Sequence, residues 1–564
     1  MSLFEDILAA RGLTGEARDL FLYPDYARVH DPFLLPDMQA AVERLVKAHK
    51  DNEHIVIYGD YDIDGLTATT TLLDGFESFG FQQVDAFIPN RFVEGYGLTV
   101  DAVEKIAAMG AKIIVTVDCG SLSEKEINRA NELDVDVIVT DHHNVAPVQP
   151  PAVAVINPKR LLMDFPDEYK NYILKPNSSY KGKIYPFLDL PGVGVAFKLI
   201  QALQTRLDGL PLGHEKWLLD LVALGTVCDV VTLVDENRTN VFWGLKVLSK
   251  TRRPGLRALM AVAGVEPEKV NARHLGFGLG PRMNAAGRLE TAQYALDMLR
   301  AEEGLEALER ARQLDTLNIS RRSDQDKIYQ AAILQAEQYV AYPVLVVSHP
   351  DWSHGIIGIV AAKLLEKYKK PTYVLQEMGE ESKGSARSFG DFSAADAIRA
   401  ADDIITKGGG HKLAAGVTLP TKNIPLFRER VNEFYRTKKL FNQAALLLPR
   451  EDVTIADFGD VHEGLLNELA TLEPFGSGNP EPVIKAMGLL VTNQRRMGAN
   501  AQHVKLELRD ANRKPLQFLA FNAPEHFFVE PGEYVTVWFQ PTVNEWQGRR
   551  TVEGRLLHLE LTNE

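Results

Sequence analysis

Tyr58-Gly59-Asp60-Tyr61-Asp62-Ile63-Asp64-Gly65 follows directly on the apolar run Ile55-Val56-Ile57. It places three carboxylates at alternate positions where a buried strand should end. Three like charges this close repel one another unless a cation sits among them. Alone, such a turn reads equally well as a solvated acidic loop, so its recurrence decides. Lys112-Ile113-Ile114-Val115-Thr116-Val117 leads into Asp118, and Val135-Asp136-Val137-Ile138-Val139-Thr140 leads into Asp141-His142-His143. Three apolar strands, each followed by a helix-like stretch, therefore end on metal-ligand chemistry. In an open parallel α/β sheet the carboxyl ends of the strands share one edge, where ligands bind. Residues far apart in sequence can converge there, and the pattern predicts a metal site.

At 564 residues the chain exceeds one core and implies three or four domains. An apolar fraction of 45% with 24% charged residues is ordinary globular composition. The segment Ser2-Leu3-Phe4-Glu5-Asp6-Ile7-Leu8 carries early acids and no basic stretch, so a secretory signal is not expected. No run approaches the ~20 apolar residues of a membrane span. Cys119 and Cys228 are too few for a disulfide framework, which suits a reducing cytoplasm. A formal charge of −14 argues mildly against a nucleic-acid partner. An acidic metal site inflates that count, however, and local basic patches decide binding.

Taken in order, the sequence predicts a helical segment over 1–50 and a catalytic α/β domain over 51–300. Strands are expected near 55–60, 84–88, 112–118, 136–141 and 152–156, with helices between them, hence right-handed βαβ units and a parallel sheet. Residues 161–185, polar and aromatic without a clear period, read as a surface insertion. Trp217 to Leu224 is apolar nearly all round and predicts a buried helix delivering Thr226, Cys228 and Asp229. Asp229, a carboxylate at the end of that helix, needs a partner. The glycine-rich stretch from Leu275 to Gly280 precedes Arg282, Asn284 and Arg288. A long exposed helix is expected over 301–340, joining two domains. A second α/β unit follows over 341–445, marked by His354-Gly355-Ile356-Ile357-Gly358, Ser385-Ala386-Arg387 and Gly408-Gly409-Gly410-His411. Short alternating strands over 450–564 predict a small antiparallel barrel.

Asp60, Asp62, Asp64, Asp118, His142, His143 and Asp229 offer many oxygens and at most two imidazoles, with no thiol required. Such a set suits Mn²⁺ or Mg²⁺ rather than structural zinc. The carboxylates exceed what one hard ion needs, so two ions sharing a bridging carboxylate are expected. Two such ions stabilise both the attacking and leaving oxygens of an in-line phosphoryl displacement.

Gly59-Asp60-Tyr61-Asp62-Ile63-Asp64-Gly65 with Asp141-His142-His143 resembles the DHH phosphoesterase superfamily. The whole motif series resembles its RecJ-type single-strand-specific exonucleases: Asp118, Thr226 to Asp229, Asn284 to Arg288, His354 to Gly358, Gly409-Gly410-His411 and Leu472 to Gly476. The likeness runs from about Phe21 to the end of the chain. It implies a DHH domain, a DHH-associated domain and an oligonucleotide-binding (OB) barrel. It also implies Mn²⁺- or Mg²⁺-dependent 5′→3′ degradation of single-stranded DNA in recombination and repair. By motif, Asp62, Asp118, His142 and Asp229 would hold one ion. Asp60, Asp62 and Asp118 would contribute to the second, and Asp64 is a ligand or its supporting neighbour. His143 would lie near the scissile phosphate. Arg91, Ser385 and Arg387 match positions near a terminal phosphate, where guanidinium forks suit phosphate oxygens. Asn284, Arg288, His354, Gly409, Gly410 and His411 are expected substrate contacts. The implied substrate is single-stranded DNA with a free 5′ end, and the implied partners are a single-strand-binding protein and a helicase. The protein is expected to act as a cytoplasmic monomer without membrane association.

In the barrel, Phe518, Phe521, Trp538, Phe539 and Trp546 alternate with arginines such as Arg495, Arg513 and Arg549, a composition that suits single strands. One or two of these aromatics are expected to stack bases and the rest to be core. The same-superfamily alternative is a phosphodiesterase for short oligonucleotides or cyclic dinucleotides, which would have no use for a strand-binding barrel. An inactive DHH scaffold would have lost ligands, and none is missing.

Overall fold

The computed structural model describes residues 2–168, 170, 182–440, 443–546 and 548–562, so the middle of the expected insertion at 161–185 lies outside the described residues. Among the described part, helix α1 spans Leu3–Ala10 and α2 spans Met38–Asp51. Strands β1 (Ile55–Gly59), β2 (Val84–Phe87), β3 (Ile113–Val117), β4 (Asp136–Thr140) and β5 (Ala154–Ile156) then form a wholly parallel sheet in the order β2-β1-β3-β4-β5. Every residue of β1 and β3 is buried, as continuous apolar runs in a two-sided sheet should be. Because β2 lies on one side of β1 and β3 on the other, strand order reverses between β1 and β3. Ligands bind at the carboxyl ends beside such a reversal. The acidic turn after β1 and Asp118 after β3 flank it.

Helix α3 (Ile63–Phe79) leaves the acidic turn and is buried along most of its length. Its threonines Thr67, Thr69 and Thr70 return their hydroxyls to carbonyls four residues back, which satisfies them inside the core. Helices α4 (Gly192–Leu203), α5 (Leu219–Cys228), α6 (Asp235–Leu248), α7 (Pro254–Ala263) and α8 (Gly280–Leu289) complete this body. As expected, α5 is buried nearly throughout, and it ends at Asp229.

Helix α9 (Gly304–Ala336) corrects the expectation of an exposed connector. A stripe at three- and four-residue spacing is buried: Ala307, Ala311, Leu314, then polar Asn318, Arg321 and Gln325, then Ile328 and Ala332. The chain divides within this helix into two compact units, Met1–Asp315 with Glu451–Glu564, and Thr316–Arg450. In the second unit β6 (Leu345–His349), β7 (Thr372–Met378), β8 (Glu381–Arg387), β9 (Lys407–Gly410) and β10 (Ala414–Pro420) form a mixed sheet ordered β6-β7-β8-β10-β9, with α10 (Ile357–Tyr368) packed on it.

Beyond Glu451, β11 (Val453–Ile455) pairs on the edge of β12 (Ile484–Met497). Strands β12, β13 (His503–Arg509), β14 (Pro515–Ala520), β15 (Tyr534–Trp546) and β16 (Arg549–Leu561) close a barrel through β12–β15 pairing. Phe518 and Phe539 fill its interior edge-on at 5.1 Å, and Trp538 is buried with its indole N–H donated to Glu451. Phe521 is 63% exposed, the open one among these four; the Trp546 side chain lies outside the described residues.

The barrel core is completed from the other end of the chain. Leu3, Phe4, Ile7 and Leu8 of α1 share one apolar cluster with Phe458, Phe518 and Phe539. Arg11 donates to Asp452 at 2.7 Å and to Asn479 at 3.0 Å. Arg238 of α6 is 2% exposed and stacks 3.6 Å over the Phe21 ring. Its guanidinium donates to the carbonyls of Phe21, Leu472, Glu473 and Pro474 and burial pushes its pKa down to about 10. The first fifty residues are thus no body of their own, and the barrel is fastened to the α/β domain by a buried cation.

Candidate metal centre

Each aspartate reaches the crevice by a different backbone route. Asp62 caps α3 by accepting the Gly65 amide at 3.2 Å. Asp64, two residues on and 1% exposed, accepts the Gly192 amide at 2.6 Å and the Val193 amide at 2.8 Å, so it also sits at the N-terminus of α4. A negative group there meets free amides and the positive helix end. Asp118 has φ +62°, an uncommon backbone for aspartate that turns its side chain sharply off the end of β3. Gly192 makes room for it: a Cβ there would stand 2.7 Å from the Cβ of Asp118.

Asp141 does not join this group. One oxygen accepts the amides of His142 (2.7 Å) and His143 (3.1 Å) and the His143 Nδ1 (2.9 Å), and the other accepts the Ser121 amide. Burial alone would raise its pKa, but the His143 bond and charge outweigh that and hold it well below the carboxylate range. The same contact raises His143, against its own burial. His142 goes the other way: burial, then the charge of His143, push it down to about 3, although a bond to the Leu190 backbone opposes this. A neutral imidazole is what a metal requires.

His142 Nε2 lies 3.1 Å from Asp118 Oδ1, 3.7 Å from Asp229 Oδ2 and 3.8 Å from Asp64 Oδ2. Three overlapping sets each bring their ligand atoms within 4.8 Å: Asp118, His142 and His143; Asp64, His142 and Asp229; and Asp60, Asp62 and Asp118. Asp118 and His142 each belong to two sets. Burial pushes Asp60 up to about 8, Asp64 to about 7 and Asp229 to about 9, with neighbouring carboxylates adding to it; burial and the same neighbours also raise Asp118 well above the carboxylate range. Asp60 Oδ1, Asp118 Oδ1 and His142 Nε2 are buried and make no hydrogen bond among the described residues, the last two facing each other at 3.1 Å without hydrogen-bond geometry. Buried polar atoms are nearly always satisfied. Three orphaned ligand atoms of hard-oxygen and imidazole type at one sheet edge fit a pair of hard divalent ions.

The loop 90–97 lies against this centre. Arg91 stacks 4.2 Å over the Tyr61 ring with its Nε buried and unpartnered among the described residues, and Tyr96 Oη is 3.2 Å from His143 Nδ1. Helix α8, carrying Asn284 and Arg288 four apart, packs on the acidic turn: a Cβ at Gly287 would stand 3.0 Å from the Tyr61 carbonyl. Cys119 and Cys228 are free, and burial pushes both thiols up, which disfavours the nucleophilic thiolate.

The remaining expected contacts assemble in the second unit. Gly358 abuts both Ser385 and Arg387, and Ser385, Gly416 and Gly409 lie in one row across β8, β10 and β9. Gly410, at φ +132°, would clash with Ala414 and Ala415 if it carried a Cβ, whereas Gly409 faces open space. The His354 amide donates to Gln376, and the amide of His411 closes a turn onto Ala414. Arg387 donates to Ser385 Oγ and the Ala386 carbonyl, and no carboxylate among the described residues lies within ion-pair distance.

Models of the DHH family N-terminal domain, the DHHA1 domain and the RecJ OB domain match residues 54–226, 338–437 and 454–558. The chain is 36% identical over 554 residues to the single-stranded-DNA-specific exonuclease RecJ of Bacillus subtilis, covering 97% of this chain and 66% of that protein. It is 34% identical over 555 residues to the RecJ of Dickeya dadantii, covering 93% and 91%. The chain belongs to the RecJ family. A crystal structure of RecJ from Thermus thermophilus in complex with Mn²⁺ matches at TM-score 0.79 and 28% identity, over 100% of this chain and 79% of that one.

Several residues that build this RecJ-family site were not singled out in the sequence. Asp141 was visible as part of its motif, but its task of orienting His143 was not. Asn157, fully buried, donates to Ser121 Oγ and the His143 carbonyl, and nothing in its surroundings signals this. Gly192 carried a weak signal, a glycine opening an apolar helix.

The raised carboxylates have a consequence for stability. A carboxyl whose folded pKa exceeds its unfolded value binds more protons in the native state, so its stabilisation fades as pH rises through the folded value. In chelator, the melting temperature should therefore fall between about pH 4 and 9, from the ordinary carboxylate value to the raised values of Asp60, Asp64 and Asp229. Mn²⁺ or Mg²⁺ should restore it, most at the alkaline end. Scanning fluorimetry checks this, and a metal effect independent of pH would contradict it.

Proposed function

We propose that this RecJ-family chain is a metal-dependent exonuclease that degrades single-stranded DNA from its 5′ end to 5′-mononucleotides, in recombination and repair. The observation carrying this reading is the convergence of three orphaned ligand atoms, from Asp60, Asp118 and His142, at the strand-order reversal of the parallel sheet. Asp60, Asp62, Asp64, Asp118, His142 and Asp229 would hold two ions, which supply charge stabilisation and a nucleophile derived from water.

The chain's own groups divide the other tasks. Asp141 fixes His143 through Nδ1, so Nε2 is the ring atom left to meet a phosphate oxygen. Asp64 ties the acidic turn to α4 and keeps the ligands in register. Arg91, held flat on Tyr61, presents guanidinium to phosphate, with Asn284 and Arg288 nearby on α8. In the second unit Ser385, Arg387, the amides of Gly409 and Gly410, and His354 and His411 are proposed phosphate contacts. The half-buried Arg387 guanidinium, with only neutral acceptors, is poised for an anion. A single-strand-binding protein and a helicase are the proposed partners of a cytoplasmic monomer, because a helicase exposes single strands and a single-strand-binding protein keeps them single.

Digestion of 5′-labelled single strands, duplex and RNA with Mn²⁺ tests the reading. Labelled mononucleotide should appear first, and from single-stranded DNA alone. Arg387→Ala should cost roughly 1.5–3 kcal/mol in kcat/KM on 5′-phosphorylated ends, the scale of a charge-assisted bond, and little on 5′-hydroxyl ends. An equal loss on both ends removes the terminal-phosphate role.

A further inference from the structure

Away from the metal centre, the α/β body carries a cationic and aromatic surface where α6 ends and α7 begins. Lys246 lies 4.0 Å over the Phe242 ring and 4.3 Å over the Trp243 ring, and Arg252 lies 4.7 Å over Trp217, which is 41% exposed. Beside them a surface cavity of about 400 Å³ is lined by Lys250, Arg252 and Arg257. All four cations are exposed, and none has a carboxylate within 4.0 Å among the described residues. Their neighbour Arg253, by contrast, is paired with Asp74 and Asp220. The single acid lining the cavity is Glu268.

The bland account is that cations favour helix C-termini. It covers Lys246 and Lys250, at the end of α6. It fails for Arg257, which lies in the first turns of α7, where the helix field opposes a cation. In a chain of net charge −14, a cluster of unpaired cations facing the same cavity is built for an anion.

We propose that this surface is a second binding site for single-stranded nucleic acid, taking the phosphate backbone on Lys250, Arg252 and Arg257 and a base against Trp217. The proposal rests on the exonuclease reading and adds to it a hold on the strand outside the catalytic crevice. Flat rings flanked by cations match a base and its phosphate. An acidic peptide would need an apolar slot for its side chains, and the apolar lining residues Leu248 and Met260 are fully buried.

The test is the full chain with Lys250→Glu, Arg252→Glu and Arg257→Glu together, all surface positions. Anisotropy of labelled oligothymidylates is read in chelator, so that nothing is digested. Affinity for a long strand should fall on the order of tenfold, and the slope of log K against log salt should drop by about 2, at about 0.7 per phosphate contact. Affinity for a very short 5′-phosphorylated strand, and its hydrolysis with Mn²⁺, should not change. Unchanged long-strand affinity and slope overturn the proposal. So does an equal loss on the short strand or on a thymidine mononucleotide, or a loss confined to a polyglutamate probe. Wild-type chain that binds long strands but digests none would sink the exonuclease reading and leave this one standing.

Discussion

Asp118→Asn should reduce phosphodiester hydrolysis by on the order of 10³-fold or more, since a metal's stabilisation of transition-state charge is worth several kcal/mol. The same change should raise the melting temperature of the metal-free protein. Both effects have one cause. Asp118 is 2% exposed, surrounded by Asp64, Asp62, Asp60 and Asp229, and has Oδ1 unpartnered among the described residues. Without ions its negative charge is a liability, and a neutral amide of the same shape removes it. Asp118 belongs to two of the three candidate ligand sets, and an amide is a poorer ligand for a hard divalent ion than a carboxylate. Asp141→Asn should behave in the opposite sense. That carboxylate accepts four donors and is held below its ordinary pKa, so the amide should lower stability with or without metal. Its activity loss should be about 10–100-fold, as for a residue that orients a functional group. Fluorimetry in chelator and hydrolysis at saturating Mn²⁺ distinguish the two. If Asp118→Asn stayed within about tenfold of wild-type hydrolysis, the two-ion assignment would be wrong.

That contrast also shows what was legible. Strands of a parallel sheet are buried on both faces, so Ile55-Val56-Ile57 and Ile113 to Val117 stand out as apolar runs, and their carboxyl ends locate Asp60 to Asp64 and Asp118 without further knowledge. The motif series set Asp118 among the ligands and left Asp141 out, but the physical ground for that distinction was not legible. Both are aspartates at strand ends, and only the backbone amides that reach one of them separate ligand from positioning residue. Asp64 hides its second role because its partners lie 128 and 129 residues away.

The long helix misled for a different reason. Its buried stripe is made largely of alanines and of Asn318, Arg321 and Gln325, residues whose polarity or small size carries little hydrophobic signal. In the barrel, alternation places Phe518 and Ala520 inward, but Phe521 lies past the end of β14 where parity no longer applies. Nor does any local pattern link α1 to a barrel whose Asp452 pairs with Arg11 across 441 positions. The sequence invites a cut between domains near Arg450, and the structure argues against it.

A chain ending at Arg450 is therefore expected to aggregate. Leu3, Phe4, Ile7 and Leu8 lose the cluster that buries them, and each such side chain contributes on the order of 1.5–3 kcal/mol when fully buried. Opened together on one short helix, they form a sticky apolar patch. Deleting residues 1–22 as well removes the patch and should restore solubility, with the metal centre intact, because every ligand lies between Asp60 and Asp229. The doubly trimmed chain should cleave short oligonucleotides and bind long strands weakly, losing base stacking worth about 1–3 kcal/mol per base. Phe521→Ala in the full chain isolates part of that loss without touching the shared core. The checks are the soluble fraction, the melting temperature and the metal-dependent shift of each fragment. If the chain cut at Arg450 is as soluble and as stable as the doubly trimmed one, the helix does not need the barrel, and the shared cluster contributes little to the fold.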